Sequence, residues 1–83
     1  MPVKEVKESD NFKRSYQKID KSLKIKLDKI LLKIIDNPEI GKPMKYGRKN
    51  TREVYMKSFG ISYSFEYSTL ILYFLDLYHK NKQ

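Results

Sequence analysis

The dipeptide Asn37-Pro38 divides this chain into two stretches with different hydrophobic periods. Proline cannot continue a helix, and it pushes the residue before it towards extended backbone, so any helix reaching this point must stop. Ahead of the break, Leu23, Leu27, Ile30, Leu31 and Ile34 follow the spacing i, i+4, i+7, i+8, i+11. That is one face of an α-helix. Phe12, Tyr16 and Ile19 form a shorter stripe over residues 10–19. Asp10 and Asp20 stand where helix N-caps belong. Two amphipathic helices with almost no linker predict a helical hairpin that shares one apolar face.

Beyond the break, residues 37–50 hold Pro38, Gly41, Pro43, Gly47 and Asn50, a loop composition. From Thr51 the period becomes two. Residues 52–57, 60–67 and 69–76 predict three strands, with turns near Lys57-Ser58 and Tyr67-Ser68. Ile61, Tyr63 and Phe65 alternate with Ser62, Ser64 and Glu66, as in a half-buried strand. Residues 70–75 are apolar on both faces, which suits a central strand. Residues 3–7 alternate weakly and predict a short first strand, and residues 77–83 predict a polar, basic tail. The order β-α-α-β-β-β predicts an α+β domain spanning 1–83. Its expected architecture is a small twisted antiparallel sheet with the N-terminal helical hairpin packed on one face.

Composition narrows the function. Eighty-three residues support one modest core. The chain has no cysteine, which excludes disulfides and thiolate metal sites. Residues 1–10 carry Lys4, Glu5, Lys7 and Glu8 with no apolar run, unlike a signal peptide, and no stretch is long and apolar enough to span a bilayer. A soluble cytoplasmic protein is therefore expected. Eighteen Lys and Arg against ten Asp and Glu leave a net charge of +8. Such an excess attracts phosphate backbones or an acidic protein partner, and it also keeps a small domain soluble.

The residues themselves resemble a known family. The passage Phe12-Lys-Arg-Ser-Tyr-Gln-Lys-Ile-Asp-Lys-Ser-Leu-Lys is similar to the opening helical hairpin of the RelE/ParE toxins of type II toxin–antitoxin systems. The segment Asp36-Asn-Pro-Glu-Ile-Gly-Lys-Pro-Met-Lys-Tyr-Gly resembles that family's linker. Arg52-Glu-Val-Tyr-Met-Lys, Ile61-Ser-Tyr-Ser-Phe and Leu72-Tyr-Phe-Leu-Asp-Leu-Tyr-His-Lys resemble its three strands. The resemblance implies the RelE-like fold and an mRNA interferase that cuts translated mRNA at the ribosome. It also implies an antitoxin partner and no metal or cofactor. In such chemistry the ribose 2′-hydroxyl attacks the adjacent phosphate, and cationic side chains stabilise the charge that develops.

Carried over residue by residue, the resemblance makes Arg52, Lys57, His79 and Lys80 the candidate catalytic set. His79 is the chain's one histidine, the residue type suited to proton transfer near neutral pH. Lys45, Arg48, Lys49, Tyr55 and Lys82 are candidate RNA contacts, with Tyr55 a possible stacking platform. Each has a plainer reading. Arg52 can brace a neighbouring Glu53 or Glu66, His79 can be an idle exposed residue, and Tyr63 and Tyr73 fit packing positions. Two positions depart from the family pattern. Gly60 stands where members commonly carry an arginine in the middle strand. A tyrosine common beyond the terminal basic pair has no counterpart before Gln83, and Tyr78 is the nearest. These departures define the alternative, a non-catalytic RelE-fold protein: a gyrase-directed, ParE-like toxin or a homologue that only binds an antitoxin.

Overall fold

The computed structural model describes residues 3–43 and 51–79. Strand β1 (Glu5–Glu8) leads directly into helices α1 (Asp10–Gln17) and α2 (Lys21–Asp36). Strands β2 (Lys42–Pro43), β3 (Thr51–Met56), β4 (Phe59–Glu66) and β5 (Ile71–His79) follow. They form one five-stranded sheet in the order β1-β5-β4-β3-β2.

The helices obey their apolar stripes. Phe12 from α1, and Leu27 and Ile34 from α2, are fully buried and join Val54-side residues of the sheet in one core with Ile61, Tyr63, Leu72 and Phe74. Phe12 stacks on Phe74 with ring centroids 5.2 Å apart, which docks α1 on β5. The N-cap of α1 is Ser9 rather than the expected Asp10. Its hydroxyl accepts from the Phe12 amide at 3.0 Å and donates to the Leu75 carbonyl at 2.5 Å. One side chain thus satisfies an orphan helix donor and ties α1 to the sheet. Asp20 does occupy the N-cap of α2, but its carboxylate accepts from the Ser22 hydroxyl instead of capping the backbone. Helix α2 ends at Asn37, where the proline requires it.

The sheet is mixed, not wholly antiparallel. The pairs β2–β3, β3–β4 and β4–β5 are antiparallel, whereas β1 lies parallel to β5. The direction of β1 follows from the helix after it: only this orientation delivers Ser9 beside Phe74 and Leu75 and lets Phe12 reach the Phe74 ring. The loop predicted over 37–50 contains the two-residue strand β2, which is too short to carry a period. The last strand runs on to His79, so the expected polar tail begins later than residue 77. Leu77 belongs to the core.

Cross-strand partners share a face of a sheet, so the register defines two surfaces. Arg52, Val54 and Met56 of β3 pair with Tyr63, Ile61 and Phe59 of β4, on the helix-covered face. Thr51, Glu53 and Tyr55 pair with Ser64, Ser62 and Gly60 on the opposite, helix-free face.

Candidate functional site

The helix-free face carries three polar rows. Lys42, Glu53, Ser62 and Asp76 run from β2 to β5. One step towards the β3–β4 turn lie Tyr55, Gly60 and Tyr78, and one step the other way Thr51, Ser64 and Tyr73. The two lower rows converge on a single carboxylate. Tyr55 donates to Glu53 Oε1 at 2.9 Å, and Tyr78 donates to Glu53 Oε2.

Gly60 makes this convergence possible. A Cβ added there would lie 2.5 Å from Tyr78 Cζ and 2.7 Å from its hydroxyl. The tyrosine ring occupies the space that any side chain at 60 would claim. Glycine at 60 is the seat on which Tyr78 lies. Burial, and then the hydrogen bond to Glu53 and its charge, push the Tyr78 phenol well above the ordinary tyrosine value. Tyr55 is raised as well, first by its hydrogen bond to Glu53. Both phenols are held as proton donors.

The sequence-derived candidates fall elsewhere. Arg52 is on the helix-covered face, where its guanidinium donates to the carbonyls of Gly41 at 2.8 Å and Glu39 at 3.3 Å. Tyr63 reinforces the same segment, donating to the Pro38 carbonyl at 2.7 Å and accepting from the Gly41 amide at 3.0 Å. Gly41 is required there, because a Cβ would sit 2.6 Å from the Tyr63 hydroxyl and 2.9 Å from the Glu53 carbonyl. Arg52 thus braces backbone rather than Glu53 or Glu66.

Lys57 and His79 lie at the other end of the sheet. Lys57 opens the β3–β4 turn in a left-handed conformation, φ 49°. Lys26 of α2 is held below the ordinary lysine value chiefly by direct contact with Lys57, and then by repulsion between the two charges. His79 is exposed, with its ring 4.3 Å from that of Phe59. It borders a groove of about 690 Å³ between the sheet end and the helical hairpin, lined also by Lys18, Ile19, Leu23 and Leu77. Met56, Phe59 and His79 lie in one row. Arg52 is four residues from that row along β3, roughly 13 Å at the usual strand rise. The structure therefore brings Lys57 and His79 to one end of the sheet and leaves Arg52 apart. Lys80, Lys82, Lys45, Arg48 and Lys49 lie outside the described residues.

Tyr55 is exposed, at 46% of its surface, and can offer its ring. Tyr63 is fully buried, as a packing residue would be, but Tyr73 is 37% exposed on the helix-free face. That Lys42, Glu53 and Tyr78 come together was not read from the sequence. Their signal was the period: Glu53 and Tyr55 alternate away from Arg52, Val54 and Met56, and so had to share the other face. Among the described residues, no three His, Cys, Asp or Glu side chains are grouped to hold a metal ion, and no helix is long and apolar enough to cross a membrane.

No protein-family model matches the chain, and no curated protein matches its sequence. Solved structures do. The chain is similar to the isolated RelE toxin of E. coli, with a TM-score of 0.81 at 10% identity over 94% of this chain and 85% of that one. It is equally similar in fold to the RelBE2 toxin–antitoxin complex of Mycobacterium tuberculosis, with a TM-score of 0.81, 15% identity, and coverage of 95% and 99%. The archaeal RelE–RelB complex from Pyrococcus horikoshii OT3 follows, with a TM-score of 0.74, 14% identity, and coverage of 98% and 99%. The likeness spans nearly the whole chain in each case, and it establishes that this protein has the RelE fold.

Proposed function

We propose that this chain is the toxin of a type II toxin–antitoxin pair, an endoribonuclease that cuts translated mRNA on the ribosome in the cytoplasm and is silenced by an antitoxin. The observation that carries the reading is the whole-chain likeness to RelE chains, two of them in complexes described as toxin–antitoxin or RelE–RelB. The passage from fold to activity is by analogy, and the chain's charge of +8 supports an RNA target. In this reading Lys57, His79 and Lys80 hold the RNA backbone flanking the cleavage site. Lys45, Arg48, Lys49 and Lys82 draw in the backbone, and Tyr55 stacks a base. Arg52 supports the loop that leads to these cations and does not touch RNA.

Induction of the protein in cells, with mRNA 5′ ends mapped by primer extension, tests the reading. New ends inside translated codons are expected, fewer in a Lys57→Ala, His79→Ala double variant that remains folded. Intact mRNA with continued growth, from soluble folded protein, refutes it. That result would favour a protein that only binds an antitoxin, a second reading supported by the engagement of Arg52 with Glu39 and Gly41 and by the carboxylates Glu53 and Asp76 on the helix-free face.

A further inference from the structure

We infer that Glu53 and Tyr78 are the proton-transferring pair of this chain, with Lys42 beside them for the phosphate, an assignment that rests on the RNA-cleaving reading. A candidate acid–base pair must lie within hydrogen-bond reach of the reacting groups, and its members must be able to exchange roles. On the helix-free face the Glu53 carboxylate accepts from Tyr55 on one oxygen and from Tyr78 on the other. Each carboxylate oxygen keeps a second lone pair for an incoming hydroxyl. Lys42 is the direct cross-strand neighbour of Glu53, which places its Cβ about 5 Å away. A phosphate laid over the Lys42–Glu53 end of this row meets one ammonium, one carboxylate and two phenols, with Ser62 and the Asp76 carboxylate further along it.

The step balances without a co-reactant. The 2′-oxygen bonds to phosphorus as its proton passes to Glu53. The bond from phosphorus to the 5′-oxygen breaks, and that oxygen takes the Tyr78 proton. The products are a 2′,3′-cyclic phosphate and a free 5′-hydroxyl. The proton on Glu53 then returns to the Tyr78 oxygen through the hydrogen bond that already joins them, which restores both groups. The coupling also orders the events. While Glu53 is charged, its hydrogen bond and its charge help hold the Tyr78 proton in place. Once Glu53 has taken the 2′-proton that hold is gone, and Tyr78 is free to donate. Gly60 is part of the device, since a side chain there would push the phenol off its acceptor.

The test uses the full chain on translating ribosomes programmed with a defined mRNA, comparing Glu53→Gln, Tyr78→Phe, their double variant and His79→Ala, each checked for an unchanged melting curve. Either isosteric change should slow cleavage by about 100-fold or more, the usual scale for general acid–base groups. The double variant should be little slower than the worse single, because the two act as a unit. Glu53→Asp should recover part of the rate. If a single variant melts early, Gly60→Ala supplies a second route, displacing the ring while every titrating group stays. Full cleavage in folded Glu53→Gln and Tyr78→Phe, with loss in His79→Ala, would overturn the pair and leave RNA cleavage standing. Absence of cleavage by the parent protein would overturn both.

Discussion

Replacing Tyr63 with phenylalanine tests whether the segment between α2 and β3 is held by the hydroxyl at its centre. The ring is fully buried, and its oxygen joins Pro38 and Gly41, donating to the first at 2.7 Å and accepting from the second at 3.0 Å. The substitution keeps the ring and its packing. It strands one buried carbonyl and one buried amide, each costing roughly 1–3 kcal/mol when left without a partner. The space vacated is a single hydroxyl, too small for a water with its own partners. Relaxation of the neighbouring Arg52 recovers part of the loss, so the net cost should be about 2–4 kcal/mol. A domain of this size has only about 5–15 kcal/mol of stability. The melting temperature should therefore fall by roughly 8–32 °C, given about 4–8 °C per kcal/mol for small domains. Urea denaturation followed by circular dichroism measures this directly: the midpoint should drop with an unchanged slope. A midpoint equivalent to a loss below about 0.5 kcal/mol, the range of ordinary surface changes, would refute the idea that this hydroxyl anchors the segment.

Two further outcomes follow from the same geometry. Arg52→Ala should cost on the order of 1.5–3 kcal/mol through its charge-assisted bonds to Gly41 and Glu39, and Arg52→Lys should rescue only part, since the shorter lysine falls short of the single guanidinium nitrogen that makes both bonds. Any loss of the proposed activity in these variants should track the fraction unfolded in a melting curve. The alkaline limb of stability is the second. Tyr16, Tyr55, Tyr63, Tyr67 and Tyr78 all have folded values raised above the ordinary 10.0. A raised value means that the stabilisation is complete below about pH 10 and is lost as pH climbs from there through the folded values. Unfolding free energy measured in urea from pH 8 upwards should fall beyond pH 10, and the fall should be smaller in Tyr78→Phe.

Much of the architecture was legible because long periodic stretches leave few choices. The stripe from Leu23 to Ile34 and the stop at Asn37-Pro38 placed α2, and the alternation around Ile61 to Phe65 placed β4. The turn at Lys57-Ser58 was legible from the change of strand. What escaped depends on partners far away in the chain. Ser9 outcompetes Asp10 as N-cap because its hydroxyl also reaches the Leu75 carbonyl. Strand β2 is two residues long and exists only because β3 is there to pair with.

The site was harder to read for the same reason. Arg52 is a plausible phosphate ligand by residue type, but it shares its face with Val54 and Met56. The alternation alone therefore turned it inward, towards carbonyls that only the folded loop brings within reach. Gly60 was visible as a departure from the family pattern. That the departure is a seat for Tyr78 required the geometry of facing strands, in which residue 60 and residue 78 are partners.

The pairing of β1 with β5 has a consequence for when this protein becomes a folded object. Ser9 and Leu75 meet across 66 positions of sequence, whereas the β3–β4–β5 meander closes through two short turns. Local hairpins form in microseconds, and contacts between distant segments wait for a larger loss of chain entropy. The edge strand and the helix cap it controls can be completed only after residues 71–79 have left the ribosomal tunnel. Throughout synthesis the nascent chain thus presents the apolar stripe of its helical segments with no sheet to cover it. That interval is the period in which a binding partner, or a chaperone, would find the chain most receptive.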